Sequence, residues 1–178
     1  MHRKNKWLNP PDGFIEMEKG VVEDDPKQPP NIARYFTLLN HTAFTNTGSR
    51  AINQDAYFTD ESLFIVCDGV GGNPYGEVAS KLACSSLADY LAQNPETIYY
   101  NEYLNKALHY TIEQFQQTES KYPETKGMST TVALIVFDKE GANIAWLGDS
   151  RVYHIRNGEI LFATEDHSLI NELAKKGE

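Results

Sequence analysis

LFIVCDGVGGNPYGEVAS, residues 63–80, runs five apolar or small residues into an aspartate, follows it with three glycines in four positions, and then takes on a helical pattern. An ordinary strand-to-helix connection needs one glycine or one capping residue. Gly69, Gly71 and Gly72 together mean that something approaches the backbone closely, and a metal ion or a phosphate would both fit. A lone Asp-Gly pair is more often a tight turn with the aspartate as a local cap. The rest of the chain has to decide between the two.

Just upstream, "AYFTDESLFIVC" reads as two short apolar runs joined at Asp60 and Glu61, a β-hairpin, and "YFTLLNHTAF" before it as an extended segment. Downstream, Val78, Leu82, Ala83, Leu87, Tyr90 and Leu91 share one helical face, as do Leu104, Ala107, Leu108, Thr111, Ile112 and Phe115. After Gly127 strands return in "TTVALIVFD", "ANIAWLG" and "RVYHI", and Asn157-Gly158 signals a type I′ hairpin into "ILFA". "HSLINELAKKGE" begins a further helix with Lys175 and Lys176 at its C-terminal end. Strands, two helices and strands again predict a layered α+β domain over residues 34–178.

Residues 1–33 hold five of the chain's eight prolines and the acidic stretch "VVEDD", without a sustained apolar period, and read as a flexible tail. The formal charge of −9 and the lack of a basic stripe argue against nucleic acid as a partner. No apolar run is long enough for a signal peptide or a membrane span, so a soluble, cytoplasmic protein is expected. Cys67 and Cys84 form neither a disulfide framework nor a zinc pattern and read as small core residues.

Two further carboxylates sit at strand ends, Asp55 in "SRAINQDAYF" and Asp149 in "WLGDSRVY". Hard divalent cations take oxygen ligands, and sheet ends bring such groups together from distant segments. Singly, each aspartate also fits a turn role. Arg50 lies five residues before Asp55, where a bend would put its guanidinium fork over the same site to bind phosphate. Arg151 reads as a partner for Asp149, and His167 as a helix-start residue bonding locally or as a general acid or base. No Ser-His-Asp set, P-loop or dinucleotide fingerprint is visible.

"RAINQDAY", "DGVGG…GEVAS", "MSTT", "GDSRVY" and "TEDHS" stand in the order and approximate spacing of the metal-dependent serine/threonine protein phosphatases, the protein phosphatase 2C family. The resemblance spans about residues 36–178, and the double glycine resembles the bacterial-type branch. It implies two antiparallel sheets sandwiched between helical layers, α-β-β-α, with a binuclear Mg²⁺ or Mn²⁺ site at one end of the sheets and a third, weaker metal. Asp68 would bridge the two ions, Gly69 would offer a carbonyl to one of them, and Asp149 would be a ligand of the third. Asp55 would order metal-bound water, Arg50 would receive the substrate phosphate, and "MSTT" would be structural. The implied reaction is hydrolysis of phosphoserine or phosphothreonine in proteins, substrates of a serine/threonine kinase, by water activated between the metals.

Three departures from the pattern stand out. Gln54 stands where some relatives carry glutamate, Val70 where the animal enzymes place a histidine, and Asn73-Pro74-Tyr75 where a histidine-led stretch is usual. The family's flap and later Asp-Gly and Asp-Asn motifs lie beyond residue 178, so the fold is expected to be incomplete at its C-terminus, with impaired activity and unpaired sheet edges open to association. The rival expectation is a non-catalytic phosphoprotein-binding or regulatory module on the same scaffold.

Overall fold

In the computed structural model, residues 15–19, 36–71, 75–94, 101–138 and 141–167 are described. The framework is a four-stranded antiparallel sheet in the order β3 (Asp55–Thr59), β4 (Leu63–Asp68), β5 (Val132–Phe137) and β6 (Ala142–Leu147). The first two strands form the hairpin expected from the sequence. Asp60 closes it by accepting the amide hydrogens of Ser62 and Leu63 on one carboxylate oxygen, each at 2.6 Å, the local side-chain-to-backbone bonding that suits aspartate to turns.

Register fixes the use of each face, because residues directly opposite one another project to the same side. Cys67 opposite Ala56 and Ile65 opposite Phe58 and Leu134 face the helices. There Leu63, Ile65, Cys67, Val132, Leu134 and Val136 meet Ala83, Leu87 and Leu91 of α1 (Gly76–Gln93) and Ala107 of α2 (Asn101–Lys121) in one core. Complete burial of Ile65 is worth about 1.5–3 kcal/mol.

The buried stripe of α1 is richer in small residues than the periodicity predicts: Ala79, Ser80, Ala83, Cys84 and Ala88 are buried, while Val78 and Leu82 lie at its margin. Small side chains let the helix lie close on the sheet. On α2, Ala107 and Thr111 are buried and Ile112 is exposed. Thr111 satisfies its hydroxyl on the Ala107 carbonyl at 2.9 Å. Cys67 and Cys84 are free, buried and hydrogen-bonded to each other, which with burial pushes the Cys67 thiol well up.

The opposite face carries Asp55 and Asp68, Tyr57 and Val66, and Thr59 and Phe64 as cross-strand pairs. Phe64 is buried, with edge-on contacts to His41 at 5.8 Å and Phe137 at 6.1 Å. Toward the carboxylate end, Tyr57 and Val66 are 46% and 50% exposed. His41 ends β2 (Phe36–His41), which pairs with β1 (Ile15–Lys19). This corrects the tail reading for those five residues: Ile15 and Met17 alternate with Glu16 and Glu18, the period of a strand. The rest of residues 1–33 lies outside the described residues.

A second ribbon pairs β7 (Tyr153–Arg156) with β8 (Glu159–Ala163). Asn157 and Gly158 make its turn with φ of 56° and 81°, the positive values a type I′ turn requires. Helices and antiparallel sheets thus give the expected α+β class, although among the described residues helices cover only one face of the large sheet. The helix expected from "HSLINELAKKGE" falls, after His167, outside the described residues.

Candidate metal and phosphate site

Asp68 is the last residue of β4 and Asp55 the first of β3, and the antiparallel register sets them opposite each other. Asp55 is held by its own loop: Asn53 Oδ1 accepts its backbone N–H at 3.0 Å, Thr45 Oγ1 donates to its Oδ2 at 3.1 Å, and Asn53 Nδ2 donates to Thr45 at 2.7 Å. The Asp68 carboxyl lies above the usual carboxylate range. Partial loss of hydration contributes most, followed by the charge of Asp55 and a hydrogen bond with it. Arg50 pulls the other way, and Asp149 adds a smaller upward push.

Asp55, Asp68, Asp149 and Arg50, four of the five residues given site roles by the resemblance, therefore share one electrostatic neighbourhood at the sheet's rim. Like charges this close disfavour joint ionisation, and a hard cation relieves exactly that opposition with the oxygen donors it prefers. The chemistry of the donors fits Mg²⁺ or Mn²⁺. Their number is small: among the described residues no group of three or more His, Cys, Asp and Glu is placed to hold an ion.

Gly69, the fifth, is buried just beyond Asp68. Its N–H donates to the Gln54 carbonyl at 2.9 Å, and it bridges Thr130. A Cβ here would run into the backbone of Gly76 at the start of α1, with that Cα at 2.8 Å. The glycine turn after β4 is thus in part a joint between strand and helix. Gly72, Asn73 and Pro74, which include part of the unusual stretch after the glycines, lie outside the described residues.

Thr131 ties Asp68 to the segment of Asp149. Its Oγ1 accepts the Asp68 backbone N–H at 3.0 Å, its own N–H donates to the Asp68 carbonyl at 2.8 Å, and its hydroxyl lies 2.6 Å from Ser150 Oγ. Gly148, at φ 90°, leaves room for this contact, since a Cβ there would come within 2.8 Å of Thr131 Cγ2. The stretch "MSTT", expected to be structural, holds this hub at Thr131.

Arg50 is exposed and donates from Nη1 to Gln54 Oε1 at 2.9 Å. Arg151 does not serve Asp149 as expected. It grips Asp166 through two bonds, Nε to Oδ1 and Nη2 to Oδ2, both 2.6 Å, because the segment 164–167 folds back alongside. Trp146 Nε1 donates to the Glu165 carbonyl at 2.7 Å, and the His167 N–H donates to the Gly148 carbonyl at 2.9 Å. The His167 ring stacks on Trp146 with centroids 5.6 Å apart. These contacts join segments distant in sequence, unlike the local helix-start bonding weighed for that histidine.

Residues 45–175 match the sequence profile of protein phosphatase 2C. The chain belongs to this family. It is 30% identical over 147 residues to the serine/threonine protein phosphatase PstP of Mycobacterium tuberculosis, a match covering 82% of the chain and 28% of that protein. It is 33% identical over 122 residues to the serine/threonine phosphatase stp of Listeria welshimeri, covering 67% and 48%. The structure of the PstP catalytic domain in complex with two manganese ions superposes with a TM-score of 0.60 at 30% identity, covering 72% of this chain and 55% of that one. This protein phosphatase 2C chain therefore spans about half or less of the length of these relatives.

Proposed function

We propose that this protein phosphatase 2C chain carries the phosphate-receiving and bridging-carboxylate part of a metal-dependent enzyme that hydrolyses phosphoserine or phosphothreonine in proteins. The observation that carries this reading is the convergence of Asp68, Asp55, Asp149 and Arg50 on one rim, where the carboxylates oppose and the arginine favours ionisation of Asp68.

Asp68, the Gly69 carbonyl and Asp149 are the groups that would hold Mg²⁺ or Mn²⁺, hard cations that take oxygen donors. Bound there, such ions lower the pKa of water and neutralise charge on phosphoryl oxygens. Asp55, fixed by Asn53 and Thr45, accepts hydrogen bonds from water at the site and orients it. Arg50 offers its remaining N–H donors to the substrate phosphate, a geometry that suits guanidinium. Thr131 and Ser150 keep the segments of Asp68 and Asp149 in register. The substrates are proteins phosphorylated by a serine/threonine kinase, and the site of action is the cytoplasm. No described helix is long and apolar enough to cross a membrane.

The test is Mn²⁺-dependent release of phosphate from a phosphothreonine peptide by a chain extended to family length, compared with Asp68→Asn and Arg50→Ala variants of it. Loss of turnover in both supports the reading. Peptide binding without turnover by the extended wild-type chain would favour the non-catalytic alternative.

A further inference from the structure

Three parts of the site meet at Gln54. Its backbone carbonyl accepts the Gly69 N–H at 2.9 Å, joining it to the strand end that bears Asp68. Its side-chain Oε1 accepts from Arg50 Nη1 at 2.9 Å. A guanidinium can only donate, so this contact sets the amide with its oxygen toward Arg50. The amide nitrogen is left beside the start of α1, where a Cβ on Gly76 would come within 2.8 Å of Nε2. Arg50 is confined on another side by Gly71, where a Cβ would come within 3.1 Å of Nη2. A long, exposed side chain is thereby held between an amide and a bare backbone.

We propose that Gln54 is a positioning residue for phosphate recognition: it holds the Arg50 guanidinium at the rim through a neutral acceptor, leaving the full positive charge and the remaining donors for the phosphate. The inference rests on the reading of Arg50 as the phosphate-binding group. Neutrality matters because a carboxylate at position 54 would pair with Arg50, compete with the incoming anion and add a negative charge beside it. An apolar residue at 54 would release the guanidinium to solvent, and binding phosphate would then require ordering it anew. The apolar change acts through Arg50 alone, while the carboxylate also repels the anion directly.

The experiment titrates the 178-residue chain with a phosphothreonine peptide in low-salt, metal-free buffer, followed by ³¹P NMR, for wild type, Gln54→Leu, Gln54→Glu, Arg50→Ala and the Gln54→Leu/Arg50→Ala double variant. Thermal melts accompany each titration. Gln54→Leu is expected to weaken binding about three- to tenfold, and Gln54→Glu more, with its excess loss shrinking as salt screens the added charge. The double variant should bind no more weakly than Arg50→Ala alone, the non-additivity of residues that act as one unit.

Additive losses would overturn the inference, because Gln54 would then act without Arg50. Wild-type affinity in Gln54→Leu, beside a weakened Arg50→Ala, would overturn it while leaving Arg50 as the phosphate group. An Arg50→Ala variant that binds like wild type would overturn both readings. If Gln54→Leu fails to fold, Gln54→Met, unbranched and of similar length but without a comparable acceptor, takes its place with the same expected outcome.

Discussion

Asp55 and Asp68 face each other as a direct cross-strand pair, two acids where a sheet would ordinarily set opposite charges or apolar groups. Like charges in that position weaken a sheet, so the rim carries an electrostatic penalty in the absence of a cation.

That penalty has a definite sign with pH. The Asp68 carboxyl is raised above its ordinary value of 3.8 in the folded chain. Between that value and the raised one, the folded form retains a proton that the unfolded form has released, so stability falls as pH rises through this window. Asp68→Asn removes the penalty. With chelator present, the variant should melt above wild type at pH 7, and the two should converge toward pH 4. A wild type that melts higher at pH 7 would contradict this.

Metal should reverse that order. Mn²⁺ at a hundredfold excess over its Kd stabilises a folded protein by about 2.7 kcal/mol, and Asp68→Asn should forfeit most of that gain and weaken Mn²⁺ binding by tenfold or more. Calorimetric titration decides the matter: equal affinities would remove Asp68 from the metal site.

Arg50→Ala should separate substrate from metal. In a chain extended to family length, it should lower kcat/KM for a phosphothreonine peptide by about ten- to a hundredfold, the loss of a charge-assisted bidentate contact, while Mn²⁺ affinity stays nearly intact. Unchanged kinetics would return Arg50 to the role of a surface residue.

Gly69→Ala should destabilise the chain by about 1–3 kcal/mol, the usual cost of forcing extra volume into a packed position, because the obstruction is the Gly76 backbone. Urea melts check it. Gly158→Ala is the useful contrast, since its Cβ would meet open space and its cost would come only from its positive φ.

The fold was legible where one force dominated. Short apolar runs between turn residues marked β3 to β6, and Asn157-Gly158 announced its turn because few residues accept positive φ. The face of α1 was read too coarsely, since alanine, serine and cysteine carry little hydropathy signal and yet Ala79, Ser80 and Cys84 do the packing. β1 was missed because its alternation is brief and set among prolines and acidic residues.

At the site, aspartates and glycines announced themselves by type. Their connectors did not. Thr131 and Gln54 are ordinary residues whose importance lies in whom they touch across the sheet or around a bend, and Arg151 met Asp166 because a returning segment brought a better-placed carboxylate than its neighbour in sequence.

The three glycines around the rim differ in whether a harmful change can be rescued genetically. A side chain at Gly71 would meet only the tip of Arg50, and one at Gly76 would meet the tip of Gln54 with the Gly69 main chain at 3.3 Å behind it, so a shorter residue at position 50 should relieve the first contact and one at position 54 should ease the second. Suppressors of Gly71 changes that act in this way would carry away the arginine proposed to bind phosphate, and would relieve the crowding without restoring turnover. A side chain at Gly69 strikes main chain, which no substitution at position 76 can shorten. A selection for revertants of Gly69 variants should therefore return glycine itself far more often than any second-site change.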